Sequence, residues 1–270
     1  MVQIATSAAL QALSEWWEDM GVALEPVKTP TQPPDTGTSD SLNEVRPAPE
    51  SMRSHVHKAP AKSVSDWVAQ ASADAAACKD LPELRQAIDA FDGSPLKPLC
   101  NRAVIYDGTP GAPVMVLGEG PGGQEDRIGL PFVGKAGQLL DKMLSAIALD
   151  RKTNTFISNV NYWRPPGNRN PEADELAVCR PFVDRMIDLA QPRLIIATGG
   201  VAAKSLLNTR TGIMRLRGTE HIYETPHGTC AALIPMFHPA YLLRRAQDKS
   251  RTWRDLLLVE ARLQAMGITL

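Results

Sequence analysis

Residues 113–140 read PVMVLGEGPGGQEDRIGLPFVGKAGQLL, an apolar run that passes into a glycine-rich acidic loop, a Phe and the start of an amphipathic stretch. Val114, Met115, Val116 and Leu117, bounded by Pro113 and Gly118, suit a strand buried on both faces of a parallel sheet. A ligand site is expected at its C-terminal edge. Gly118, Gly120, Gly122 and Gly123 allow positive φ and close approach of the backbone to a flat or charged ligand. Glu119, Glu125 and Asp126 in the same loop argue against a phosphate cradle, which carries a Lys or bare amides rather than clustered carboxylates. Neither the Walker pattern nor the dinucleotide fingerprint with its βαβ acid occurs in full.

Outward from this stretch, strand-like and helix-like segments alternate. Residues 136–149 place Leu139, Leu140, Met143, Leu144 and Ile147 on one helix face. Residues 155–161 read as a strand ending in Asn159-Val160-Asn161-Tyr162-Trp163, followed by the irregular loop Arg164-Pro165-Pro166-Gly167-Asn168-Arg169-Asn170-Pro171. A helix over about 172–190, a strand over 193–198, a turn at Gly199-Gly200 and a helix over 201–207 come next. Strands over 220–224 and 231–236 lead to Phe237-His238-Pro239-Ala240-Tyr241-Leu242-Leu243-Arg244, and an amphipathic helix covers 249–265. Upstream, residues 63–91 read as helical and 102–108 as an extra strand. The alternation predicts a parallel, layered α/β sandwich, with Glu119–Asp126, Asn159 and His238 converging at strand ends.

Residues 1–62 form a separate region. Ile4, Leu10, Leu13, Trp16 and Trp17 fit a short amphipathic helix, and residues 25–60, rich in Pro, Ser, Thr and Asp, are expected to be a disordered linker. The Trp16-Trp17 segment reads either as a docking element for another protein or as a helix folded back on the core. Residues 63–270 are the expected α/β domain, with 63–100 as its helical lead-in. No apolar stretch is long enough to span a membrane and no secretory leader is evident, so a cytoplasmic protein is expected. Cys78, Cys100, Cys179 and Cys230 form no C-x-x-C pair and fit reduced, buried thiols. The net charge of −1 conceals an asymmetry: residues 1–60 hold eight acids and four bases, and Arg244, Arg245, Lys249, Arg251 and Arg254 face only Asp248 within 241–254. That cluster suits either phosphate contacts or a solvated helix face.

An Asn at a strand end presents an amide donor and acceptor side by side, which matches the O4/N3–H edge of uracil. Phe132, between Pro131 and Gly134, is placed to present its ring to a planar base, and His238 to donate to an oxygen that gains negative charge. Alone, each residue is as readily a cap or a core side chain.

Together the motifs Gly-Glu-Gly-Pro-Gly-x-x-Glu-Asp-x-x-Gly-x-Pro-Phe-Val-Gly, Ser-Asn-Val with Arg-Pro-Pro-Gly-Asn-Arg, and His-Pro-Ala-Tyr-Leu-Leu-Arg resemble family 4 of the uracil-DNA glycosylases, over about residues 102–260. The resemblance implies a three-layer α/β/α sandwich with a central four-stranded parallel sheet. It also implies base flipping and hydrolysis of the N-glycosidic bond of uracil in DNA, leaving an abasic site. It further implies that Phe132 stacks on uracil, Asn159 reads its edge, Glu125 crowds C5 against thymine and His238 faces O2. Glu119 and Gly120 belong to the wall that orients substrate or water, Leu242 is the wedge in the duplex, and Arg244 and Arg245 meet phosphates. A monomer acting on uracil-containing DNA is expected.

Two departures stand out. The iron–sulfur cluster of that family takes four cysteines, including one directly before Arg-Pro-Pro. Here Trp163 holds that position and Cys179 alone matches, so no cluster and no metal are expected, with Trp163 packing in the cluster's place. Family 1 of these enzymes carries a water-activating Asp after Gly-Gln, whereas Gly120 stands here. The rival reading is therefore a non-catalytic protein that binds uracil or abasic DNA. A free-nucleotide hydrolase fits the basic 241–254 segment poorly, and a zinc deaminase is excluded because H-x-E and P-C-x-x-C are absent.

Overall fold

The computed structural model describes residues 62–268, so the expected helix over 3–20, the linker over 25–60 and Trp16-Trp17 lie outside the described residues. Helix α1 (Val64–Ala77) starts at Ser63, whose hydroxyl accepts from the Asp66 N–H while the Asp66 carboxylate accepts from the Ser63 N–H. The helical lead-in expected over 63–91 consists of two helices. Cys78 ends α1 in extended geometry, and α2 (Leu81–Ala90) restarts behind Asp80, which accepts from the Glu83 N–H at 2.8 Å. Pro82 falls in the first turn of α2, where its missing N–H costs no intrahelical bond, which suits a helix start at that point.

In chain order there follow β1 (Tyr106–Gly108), β2 (Val114–Gly118), α3 (Gly123–Ile128), α4 (Lys135–Ser145), β3 (Thr155–Asn159), α5 (Ala173–Ala190), β4 (Leu194–Thr198), α6 (Gly200–Leu207), α7 (Ile213–Leu216), β5 (His221–Glu224), β6 (Cys230–Met236), α8 (Pro239–Arg244) and α9 (Lys249–Ala265). The sheet order is β1-β3-β2-β4-β6-β5. Strands β3, β2, β4 and β6 are parallel, as expected for the centre of the sheet. The sheet has six strands rather than four, because β1 and β5 add antiparallel edges. Strand β5 turns straight back into β6, with the Thr225 N–H donating to Thr229 O at 2.9 Å, and a connection that short permits only antiparallel pairing.

The central strands bury both faces. Met115, Leu117, Phe156 and Ile195 pack under α1, α2, α5 and α6, while Val114, Val116, Ile157 and Ile196 pack under α4, α8 and α9. Three layers result, and the C-terminal ends of β2, β3, β4 and β6 share one edge.

Close to that edge, Trp163 is 1% exposed and sits 6.3 Å from the ring of Phe91, which in turn meets Phe182 at 5.2 Å and Trp67 at 5.7 Å edge-on. These rings tie α1, α2 and α5 to the segment leaving β3. Trp163→Ala is expected to destabilise the protein by about 3–5 kcal/mol, read as a fall in the urea midpoint at unchanged slope.

Candidate active site

Four strand-end segments surround a cavity of about 580 Å3, lined among others by Glu119, Gly120, Glu125, Phe132, Asn159, Gly199, His238 and Arg244. The residues singled out at three separate strand ends do converge there. The first local reason is the bare Cα of Gly118 at the end of β2. A Cβ at Gly118 would lie 2.4 Å from Asn159 Oδ1 and 2.5 Å from Phe132 Cζ, so any side chain would separate the amide from the ring. Gly137 performs the same service on α4, where a Cβ would lie 1.8 Å from Phe132 O.

Phe132 itself is not free, as its flanking Pro and Gly suggest, but 6% exposed and held at φ 53°, an unfavourable region for an aromatic residue. Its flanks are pinned from two directions. Glu125 Oε1 accepts from the Val133 and Gly134 N–H groups at 3.0 and 2.8 Å. Arg151 donates to Pro131 O at 3.3 Å and Phe132 O at 2.9 Å, while pairing with Asp107 at 2.9 Å and Asp141 at 2.7 Å. Arg151 went unnoticed in the sequence because it lies outside the motifs, in the turn before β3.

His238 caps α8: its Nδ1 accepts from the Ala240 N–H at 3.1 Å, which leaves the proton of the neutral ring on Nε2. The imidazole pKa is lowered to about 4, chiefly by burial and also by Arg244, with Glu125 opposing both. The ring is therefore an uncharged donor at neutral pH. Its centroid lies 5.6 Å from that of Phe132 at 28°, too close for a planar base to enter between two rings that each need about 3.5 Å of contact. A base on Phe132 meets His238 at its edge.

The three loop acids have three different surroundings. Asp126 is buried and accepts from the Asn101 N–H at 2.8 Å and Asn101 Nδ2 at 2.6 Å, so it anchors the loop. Glu125 braces Phe132. Glu119 has no hydrogen bond or ion pair with any described residue, and burial raises its carboxyl above the ordinary range. Asn159, 2% exposed, also lines the cavity with no side-chain partner among the described residues. Behind Gly120, Asn161 is fully buried; its Nδ2 donates to Trp163 O at 2.7 Å and its Oδ1 accepts from the Cys179 thiol at 3.5 Å.

Helix α8 and the start of α9 correct two expectations. Leu242 is 0% exposed and belongs to the core with Trp253 and Leu256, because it follows the buried Pro239 by one turn. It is not available as a wedge, whereas its neighbour Leu243 is 44% exposed. The N-capping His238 sets where this helix starts, and with it which of the two leucines turns inward. Arg244 and Arg245 are exposed as expected, but Lys249 is only 2% exposed and Arg251 pairs with Asp248 at 3.2 Å, so both leave the basic patch.

Residues 105–258 match the family described as the uracil DNA glycosylase superfamily. The chain belongs to that superfamily. It is 35% identical over 188 residues to the type-4 uracil-DNA glycosylase of Pyrobaculum aerophilum, covering 66% of this chain and 92% of that protein. It is 37% identical over 145 residues to the type-4 uracil-DNA glycosylase of Sulfurisphaera tokodaii, covering 52% of this chain and 66% of that protein. With the type-4 enzyme of Thermotoga maritima it shares 36% identity over 149 residues, 55% of this chain and 75% of that one.

The surroundings of Trp163 do not fit the iron–sulfur cluster that the type-4 resemblance brings with it. The Cys179 thiol is buried, donates to Asn161 Oδ1 at 3.5 Å, and is pushed up to about 12 by burial. Cys100 donates its S–H to Leu96 O and Arg164 O, each at 3.2 Å. Among the described residues, no group of three or more His, Cys, Asp or Glu is placed to hold a metal.

Because burial holds His238 neutral, its ring resonances are expected to stay flat from pH 8 to pH 5.5 and to shift only as the pH approaches about 4, as followed by NMR. A midpoint near 6.5 would contradict the neutral-donor geometry.

Proposed function

We propose that this chain is a monofunctional uracil-DNA glycosylase of base excision repair, hydrolysing the N-glycosidic bond of uracil in DNA to leave an abasic site. The observation that carries the reading is the juxtaposition, within the span matched to the superfamily, of a neutral His238 Nε2–H and an Asn159 amide without a side-chain partner among the described residues, beside the Phe132 ring. Uracil flipped onto Phe132 offers its O4/N3–H edge to Asn159 and its O2 to His238. As the C1′–N1 bond breaks, negative charge grows on the pyrimidine and positive charge on the sugar. The His238 donor, fixed by the Ala240 cap, stabilises the first without being charged beforehand. Glu119 supports the second: its free carboxylate orients the water and accepts its proton as oxygen bonds to C1′. Glu125, locked by two N–H donors, makes an unyielding wall at C5 that disfavours thymine.

The site works without a cluster on this reading. Support comes from Trp163 with its ring neighbours Phe91 and Tyr162, and from the absence of the remaining cluster cysteines at the family's positions. Leu243 takes the wedge role at the duplex, with Arg244 and Arg245 on phosphates.

Single-turnover excision from U:G, U:A and T:G oligonucleotides tests the reading: uracil is expected to be released and thymine spared, by a preparation free of iron and acid-labile sulfide. His238→Ala and Asn159→Ala are each expected to lower the rate on the order of 10²–10³-fold. Near-normal excision by both variants, or tight binding of uracil DNA without alkali-labile product, would refute it. Leu243→Ala is expected to slow excision from duplex more than from single strands at unchanged stability. Leu242→Ala instead costs about 2–5 kcal/mol of stability as a core truncation.

A further inference from the structure

The cavity is larger than one pyrimidine requires, and its lining includes residues of two short helices. One is α8 with Arg244. The other is α7, a four-residue helix in the segment Thr209-Arg210-Thr211-Gly212-Ile213-Met214-Arg215-Leu216. Ile213 and Leu216, three residues apart, turn toward the core, and Ile213 rests against Gly200 at the start of α6. That phase leaves Met214 and Arg215 on the outside. Met214 lines the cavity mouth and is nevertheless 57% exposed. Arg215 and Arg210, on either side of it, are exposed and have no hydrogen bond or ion pair with any described residue. Apart from these two and Arg244, the arginines that line the cavity or lie beside it are tied down: Arg164 to Asn168, and Arg169 to Glu175 and Glu172.

We propose that α7 is the second wall of the DNA groove. Met214 packs against the sugar or base next to the extruded uridine, and Arg210 and Arg215 contact phosphates of the uracil-bearing strand, opposite Arg244 and Arg245. An apolar side chain flanked by two unpaired guanidinium groups at the lip of a base pocket matches the alternation of apolar base and charged phosphate along a nucleic acid strand. This inference rests on the glycosylase reading for the identity of the strand.

The test is equilibrium binding of an oligonucleotide carrying 2′-fluoro-substituted uridine, whose glycosidic bond resists cleavage, across a salt series. For Arg210→Ala/Arg215→Ala the slope of log K against log[salt] is expected to become shallower by about 1.4–1.8, the loss of two phosphate contacts. Arg210→Lys/Arg215→Lys is expected to retain the wild-type slope. Met214→Ala is expected to weaken binding roughly fivefold, about 1 kcal/mol of apolar burial, without altering the slope. An unchanged slope in the alanine double variant overturns the second wall, as does an equal loss in the lysine variant. Excision of uracil by the wild-type protein is read separately. Active enzyme with an unchanged slope sinks only the wall, whereas a shallower slope with no excision sinks the glycosylase reading and leaves the wall standing.

Discussion

Two positions without a side chain hold the site together. At Gly118 the space a Cβ would take is filled by Asn159 and Phe132, and at Gly137 it is filled by the Phe132 carbonyl. The loop glycines suggest room for a ligand, but at these two positions the chain itself takes the room. The end of β2 is the point on which an amide from β3 and a ring from the following loop close, and α4 approaches from behind. A methyl group at either glycine forces one of these groups away, and at Gly137 the obstacle is backbone, which cannot swing aside as a side chain tip can.

Such closeness requires Phe132 to adopt a backbone conformation that costs of order 1–3 kcal/mol. The cost is offset locally, since both carbonyls on one side are held by Arg151 and both N–H groups on the other by Glu125. Arg151 is itself oriented by Asp107 on β1 and Asp141 on α4. The antiparallel edge strand β1 thereby reaches the ring that floors the pocket through one guanidinium. The surplus of acids in the loop resolves in the same terms: Asp126 anchors, Glu125 braces Phe132 from the cavity wall, and Glu119 faces the cavity without a partner among the described residues.

Local sequence carried the central strands well, because Val114–Leu117 and the 193–198 run are apolar on both faces and have no other stable place in a chain of this size. The amphipathic helix over 249–265 matches its observed span for a similar reason, a sustained 3.6-residue period. What escaped depends on partners distant in sequence. Residues 102–108 and 220–224 are visible as strands, but their antiparallel edges are settled by pairing with β3 and β6. Leu242 and Leu243 are chemically equivalent in the sequence, and only the phase imposed by the His238 cap tells the buried one from the exposed one. The convergence of Glu119, Phe132, Asn159 and His238 on one cavity was legible because the first, third and fourth sit at strand ends and Phe132 in the motif between α3 and α4, whereas Arg151 and Met214 carry no local signal.

The same dependence on distant partners explains why the helical lead-in belongs to the catalytic unit. Gly120 backs onto Asn161, where a Cβ would stand 3.3 Å from Nδ2. Asn161 is held through Trp163 O, and the Trp163 ring lies against Phe91 at the end of α2. On the cluster-free reading, the support behind the Glu119-Gly120 wall is thus a column of rings and one buried amide. Rings packed in this way restrain position through volume and lose that restraint as soon as one is truncated, because interiors are close-packed and relax only partially. A metal brace fixes its ligands by bonds and tolerates looser surroundings. A chain that holds this loop by packing alone must keep α1, α2 and α5 in register with the strand ends, which the edge-to-face contacts of Phe91 with Trp67 and Phe182 accomplish.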